Sequence, residues 1–138
     1  NANGHPFAIR TSNGGSNYNA TVTSTSFYAR HYEDDSDASL QYHTSMDEAQ
    51  GTSGQQIARS IGNGSDESFC ATVHLFDPSN TTFVKHFIAS LPMSNYANYQ
   101  LIHHVAGYCN VTAAIDGVQF SFSSGNIDSG TIKMYGVV

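Results

Sequence analysis

The sequence predicts an all-β fold, an antiparallel β-sandwich with jelly-roll-like connectivity, and three observations carry that expectation. Short segments alternate apolar and polar residues with period two, the pattern of a strand with one buried and one wet face. Turn residues punctuate those segments at close intervals, as in Asn13-Gly14-Gly15, Gly62-Asn63-Gly64-Ser65 and Asp77-Pro78-Ser79-Asn80. Leu, Glu, Lys and Arg, the strong helix formers, are scarce, and no segment shows a 3.6-residue stripe over three turns. About eight short strands at this spacing read as a sandwich.

Taken in order, Phe7 to Thr11 is a short strand between turns at Asn3-Gly4 and Asn13-Gly14-Gly15. Tyr18 to Ser26 alternates weakly, and Phe27 to Tyr32 is an aromatic strand that ends in the acidic loop Glu33-Asp34-Asp35-Ser36-Asp37. Leu40, Tyr42, Thr44 and Met46 alternate with Gln41, His43 and Ser45, a further half-buried strand, with one helical turn at most around Met46 to Ala49. Asp47 to Gln55 is polar and reads as a surface loop. Ile57 and Ile61 frame a brief strand. From Ser68 to Phe76 both faces are apolar, which predicts a central strand. Phe83 to Ala89 follows as a strand, Ser90 to Asn98 with Pro92 as a loop, and Tyr99 to Tyr108 as another strand. Asp116-Gly117 is a tight-turn signal ahead of the last pair.

That last pair is Val118 to Phe122, where Phe120 and Phe122 alternate with Gln119 and Ser121, and Thr131 to Tyr135, where Ile132 and Met134 alternate with Thr131, Lys133 and Tyr135. Gly125 and Gly130 supply backbone freedom for the reversal between them. The apolar Gly136-Val137-Val138 is expected to pair into the sheet, because free ends are normally polar.

A chain of 138 residues fits one domain, residues 1–138, with one core. Its 5 basic and 11 acidic residues give a net charge of −6 with no basic cluster. Binding to a nucleic-acid backbone needs Lys and Arg in place of counterions, so this balance argues against such a partner. No apolar run approaches the ~20 residues of a membrane-spanning helix, and no signal-peptide pattern opens the chain. Asn1 in place of Met points to a processed chain or an excerpt of a longer one.

The segments Ser123-Ser124-Gly125-Asn126-Ile127, Ser129-Gly130-Thr131-Ile132 and Met134-Tyr135-Gly136-Val137 resemble the C-terminal signature of β-sandwich domains in tail-fibre and other virion proteins of tailed bacteriophages. Ile9 to Ser16 with Tyr18, and Leu75 to Thr82, resemble the same family more loosely. The resemblance implies a non-enzymatic virion component: a fibre, knob or surface-decoration domain on the particle surface. It implies a homo-oligomer, a trimer favoured, beside other virion proteins and in contact with a host surface glycan or protein. It also implies an N-terminal strand preceding Asn1.

The residues themselves mark no catalytic constellation: Gly-x-Ser-x-Gly, a phosphate loop and His-Glu-x-x-His are all missing. Among seven histidines, His103 and His104 are adjacent and point to opposite faces of a strand, so a shared ion requires assembly across strands, for example from His74, His86 and one of the pair. Asp34, Asp35 and Asp37 supply clustered carboxylates of the kind calcium takes, without the Gly and late Glu of the helical calcium loop. A solvated loop is the preferred reading there, and no cofactor is expected. Cys70 and Cys109 allow one disulfide; two buried free thiols is the preferred alternative. The Asn-x-Ser/Thr sequons at Asn19, Asn63, Asn80 and Asn110 follow from composition. Tyrosines stack on sugars and anchor interfaces, and Tyr96 and Tyr99, after Pro92, are the expected contact residues. A carbohydrate-binding lectin-like module is the alternative function.

Overall fold

The described residues form nine antiparallel strands: β1 (His5–Ser12), β2 (Val22–Tyr32), β3 (Ala38–Tyr42), β4 (Ala49–Gly51), β5 (Gln55–Ile61), β6 (Thr72–Leu75), β7 (Lys85–Asn95), β8 (Tyr99–Cys109) and β9 (Gly117–Phe122). The computed structural model describes residues 5–12 and 17–137. Their hydrogen-bonded order is β3-β2-β8-β7-β5-β1-β9, with β4 on β2 and β6 on β7. Strands β7 and β5 touch through one pair, Ile61 and Asn95, so the sheet folds there into two leaves. Phe87, Ala89, Leu91, Met93, Leu101 and Val105 from one leaf and Ile57, Ala58 and Ile61 from the other form the buried core, with Phe120 and Phe122 packed against it. The strand order carries the sandwich expectation and not the finer jelly-roll one. Among the described residues no helix is long and apolar enough to cross a membrane.

The longest ladders are β2 on β8, from Val22 opposite Cys109 to Tyr32 opposite Tyr99, and β7 on β8, from Lys85 opposite Cys109 to Asn95 opposite Tyr99. Alternation explains both. In β7 every odd residue from Lys85 to Asn95 is buried and its neighbours are more exposed. Lys85 belongs to the inward set, and its ammonium donates to the carbonyls of Val111, Thr112 and Ala113 at 3.2, 2.8 and 2.6 Å. A buried ammonium is tolerable because all three donors are occupied.

Several expectations are corrected. Ser90 to Asn95 is not a loop, because β7 runs through Pro92. The carbonyl of Pro92 accepts from Cys70 N on the β6 side, and the N–H that proline lacks points the same way. The Phe69–Met93 and Thr72–Ser90 pairs share one register, which sets Cys70 opposite Pro92, so the proline costs the return bond to Cys70 O and interrupts the short ladder on this side while the β8 side stays paired. For the same reason Ser68 to Phe76 is not a central strand: β6 is four residues long, pairs only with β7, and leaves Phe76 exposed. The polar stretch Asp47 to Gln55 contains β4, which covers part of the β2 edge. Strand β3 stops at Tyr42, and a turn closed by Met46 N on His43 O buries Met46 instead.

Asp116-Gly117 is no hairpin turn; Asp116 N bonds Ser12 O and Gly117 opens β9. Thr131 to Val137 is not paired into the sheet. It is exposed throughout and carries no strand partner, with Gly125 and Gly130 at φ 78° and 138° in the turn before it. The turns expected at Asn3-Gly4 and Asn13-Gly14-Gly15 lie outside the described residues.

Candidate functional site

Register places a polar and aromatic cluster at one end of the sandwich. On the face of the β2–β8 ladder that points between the leaves, Tyr28 stands opposite His103, Arg30 opposite Leu101, and Tyr32 opposite Tyr99. Residues two apart on a strand share a face, so these six side chains form one sheet of contacts. His43, just past β3, and Arg59 and Ser60, on β5 of the other leaf, close over it. The result is a cleft of about 190 Å³ lined by Tyr28, Arg30, His43, Arg59, Ser60, Tyr99 and Leu101.

Its aromatic wall is held from behind. Tyr32 and Tyr99 pack with ring centroids 4.9 Å apart, and the Arg30 guanidinium lies 5.4 Å from the first ring and 5.9 Å from the second. Arg30 is fixed by Asp37 at 2.7 Å and by Ser39 Oγ at 3.1 Å. Burial raises the Tyr99 phenol above its ordinary value, so it stays protonated near neutrality. The Tyr28 hydroxyl donates to Gln41 at 2.7 Å, and its ring meets His43 edge-on at 4.8 Å.

Opposite that wall, Arg59 Nη1 donates to Ser45 Oγ and to His43 Nε2, the latter at 3.2 Å. A guanidinium cannot accept, so His43 Nε2 is the acceptor and the ring proton sits on Nδ1. That Nδ1 is buried and has no hydrogen-bond partner among the described residues. Burial first, and then the charge of Arg59, lowers the His43 pKa and keeps the ring neutral.

Behind His43, with ring centroids 5.2 Å apart, lies His103, which is 1% exposed. Neither of its ring nitrogens has a hydrogen-bond partner among the described residues. Burial, reinforced by His43, pushes its pKa down to about 4; the Ile57 backbone opposes this without reaching hydrogen-bond geometry. The buried Ser26 Oγ and Gln55 Oε1 are unpartnered as well, so the inner face behind the cleft holds a concentration of unsatisfied polar atoms.

No family model matches the chain. The same holds for curated proteins and for solved structures. The site is therefore read from its own geometry.

Of the expected contact residues, Tyr99 lines the cleft and Tyr96 does not. Tyr96 is half exposed on the β7–β8 turn and belongs to neither the cleft nor the shallow depression beside it, formed by Tyr32, Glu33, Asp34, Ser36, Ala97 and Asn98. The acidic loop sends its carboxylates to separate partners: Asp34 accepts from Ser36 N at 3.1 Å, Asp35 faces His31 at 3.0 Å, and Asp37 holds Arg30. Among the described residues no three His, Cys, Asp or Glu side chains are grouped to hold a metal.

The histidines are dispersed. His104 stacks on Phe27 on the outer face, His74 on Phe76, and His86 packs against Tyr108. Both cysteines are free thiols. Cys109 is buried, with Thr11 Oγ1 at 3.3 Å; Cys70 is exposed, against the expectation that both are buried. Arg30, His43, Arg59 and Ser60 escaped the sequence reading, since three different strand environments supply them and no local motif joins them. One signal was available: only five cationic residues exist in the chain, and two of them line this cleft.

Proposed function

We propose that this chain is a non-enzymatic structural domain of a tailed-bacteriophage virion, a fibre, knob or surface-decoration module that assembles as a homo-oligomer, a trimer favoured. The observation that carries the reading is the stretch Thr131 to Val137. Ile132 is 61%, Met134 90%, Tyr135 76% and Val137 93% exposed. An extended apolar segment left in water is a strand or anchor awaiting a partner. The outer edge of β9 has no strand neighbour among the described residues, and a second copy would offer that edge to the segment.

A second feature supports the same reading. On the outer face of the larger leaf, Phe27 stands opposite Tyr42 and Ala29 opposite Leu40, and Ile88 lies further along the same face. Phe27, Leu40, Tyr42 and Ile88 are all substantially exposed, which makes an apolar stripe across neighbouring strands. Low charge at that stripe fits packing against another copy.

Light scattering on a sizing column, at two protein concentrations, tests the proposal. A mass near three chains of 14.8 kDa that persists on dilution supports it, and Met134→Asp with Val137→Asp should then lower that mass. A stable monomer at both concentrations overturns it. A carbohydrate-binding module is the second reading, favoured by the cleft in which Tyr28 and Tyr99 stand beside hydrogen-bonding side chains.

A further inference from the structure

The chain has five cationic side chains, and four of them are accounted for. Lys85 is buried under three carbonyls, Arg30 is paired with Asp37, Arg10 donates to Ser53 O, Gln119 and Ser121, and Lys133 lies in the exposed stretch after Gly130. Arg59 differs in lining the cleft with part of its guanidinium uncommitted. Its two hydrogen-bond acceptors, Ser45 and the neutral His43, are uncharged, as are those of Arg10 and Lys85. Both bonds use Nη1, so Nε and Nη2, the other edge of the guanidinium, make no hydrogen bond among the described residues.

An exposed guanidinium is stable in water without a counterion, but one fixed on one side with its other edge free at the wall of a cleft is placed to meet a ligand. The free edge presents two parallel N–H donors, the geometry that matches a carboxylate. Ser45 and His43 hold the other side, so the group is oriented before any ligand arrives and little side-chain entropy remains to be lost. Across the cleft, Tyr28 and Tyr99 offer ring surface and a protonated phenol.

Size narrows the ligand. A cleft of about 190 Å³ falls below the roughly 300–1,000 Å³ of sites that take drug-sized molecules, so it admits one small ring and not an extended cofactor. A phosphate-rich ligand would need more positive charge than one unpaired Arg supplies. A neutral sugar would leave the Arg59 edge unmatched.

We infer that this cleft binds a carboxylate-bearing sugar, a uronic-acid residue of an acidic glycan, with the carboxylate on the free edge of Arg59 and the ring against Tyr28 and Tyr99. The inference rests on the second reading above, that the cleft contacts glycan, and adds the charge of the ligand and the residue that selects it.

The test is titration of the full chain, followed by NMR chemical-shift changes, with methyl β-glucuronide, methyl β-glucoside and acetate as separate probes. The expected result is saturable binding of the glucuronide, at least tenfold tighter than either of the others. Arg59→Gln should reduce glucuronide affinity at least tenfold with circular dichroism and melting temperature unchanged, because Arg59 is exposed on β5. Tyr99→Phe, which retains the ring, reports on the phenol alone and should weaken the glucuronide less than Arg59→Gln does. Equal affinity for glucuronide and glucoside overturns the inference and leaves the glycan reading standing. Acetate binding as tightly as glucuronide marks a simple anion site and overturns both. Absence of binding by any probe also overturns both.

Discussion

Acidification should destabilise this protein through His103. The imidazole is 1% exposed with neither nitrogen hydrogen-bonded, and its pKa falls to about 4 in the folded chain against an ordinary value of 6.5. Below pH 6.5 the unfolded chain takes up a proton that the folded one refuses, so stability is full above that pH and is lost as pH falls toward 4. At 1.36 kcal/mol per pH unit the loss from this one side chain is about 2 kcal/mol by pH 5 and roughly 3 kcal/mol by pH 4. His43, also shifted downward, acts in the same direction. Against a typical total of about 5–15 kcal/mol, such a loss is large.

Urea unfolding at pH 7, 6, 5 and 4, on the native chain and on His103→Leu, separates this effect from the protonation of carboxylates, which both proteins share. Leucine removes the titrating group and two unsatisfied nitrogens while filling most of the space. The variant should match the native chain at pH 7 to within about 1 kcal/mol, and exceed it by about 2 kcal/mol at pH 5. Parallel acid slopes in the two proteins would refute the reasoning. So would a His103 ring titration near 6.5 by NMR.

Lys85→Ala should cost roughly 3 kcal/mol in the same urea assay, since it leaves the carbonyls of Val111, Thr112 and Ala113 without their shared donor and opens a cavity; Lys85→Met should recover the packing part only. Gly107→Ala should cost about 1–3 kcal/mol, because a Cβ there would stand 2.6 Å from Thr23 O and 2.7 Å from Ser24 Cβ on the neighbouring strand, and neither backbone can retreat without breaking the β2–β8 ladder. Thiol titration with an aromatic disulfide reagent should release one equivalent from the native chain, from Cys70, and a second only in denaturant, from Cys109; release of none in denaturant would mean a disulfide.

The fold class was legible because alternation survives wherever a strand has one wet face. Strands β1, β2, β5, β8 and β9 all follow from it. Segments that broke the pattern were misjudged for identifiable reasons. Pro92 reads as a strand breaker, yet its missing N–H falls on the short β6 side while β7 keeps its full ladder with β8, which only the topology reveals. Lys85 falls on the same face as Phe87 by alternation, but nothing local announces the three carbonyls from Val111 to Ala113 that let it be buried. Thr131 to Tyr135 alternates as a strand should, but alternation says only that a segment is suited to pairing, not that its partner lies in the same chain.

The cleft was harder to see. Tyr99 was visible as an aromatic beside a turn. Arg59 and His43 carry no signal until β5 is folded over the β2–β8 ladder, which brings together residues far apart in sequence. Chemistry assembled across strands has no spacing rule to betray it.

The pairing of β2 with β8 has a consequence for how the chain comes into being. Tyr32 must meet Tyr99, and Val22 must meet Cys109, across most of the intervening chain. Strand β1 waits longer still for β9. The hairpin of β7 and β8, joined by the Tyr96–Asn98 turn, can form at once, and β2 must then find it across a long loop whose closure is entropically costly. Folding of this domain is therefore expected to be slow, with the hydrogen-bonding edges of β2 open to wrong partners in the interval.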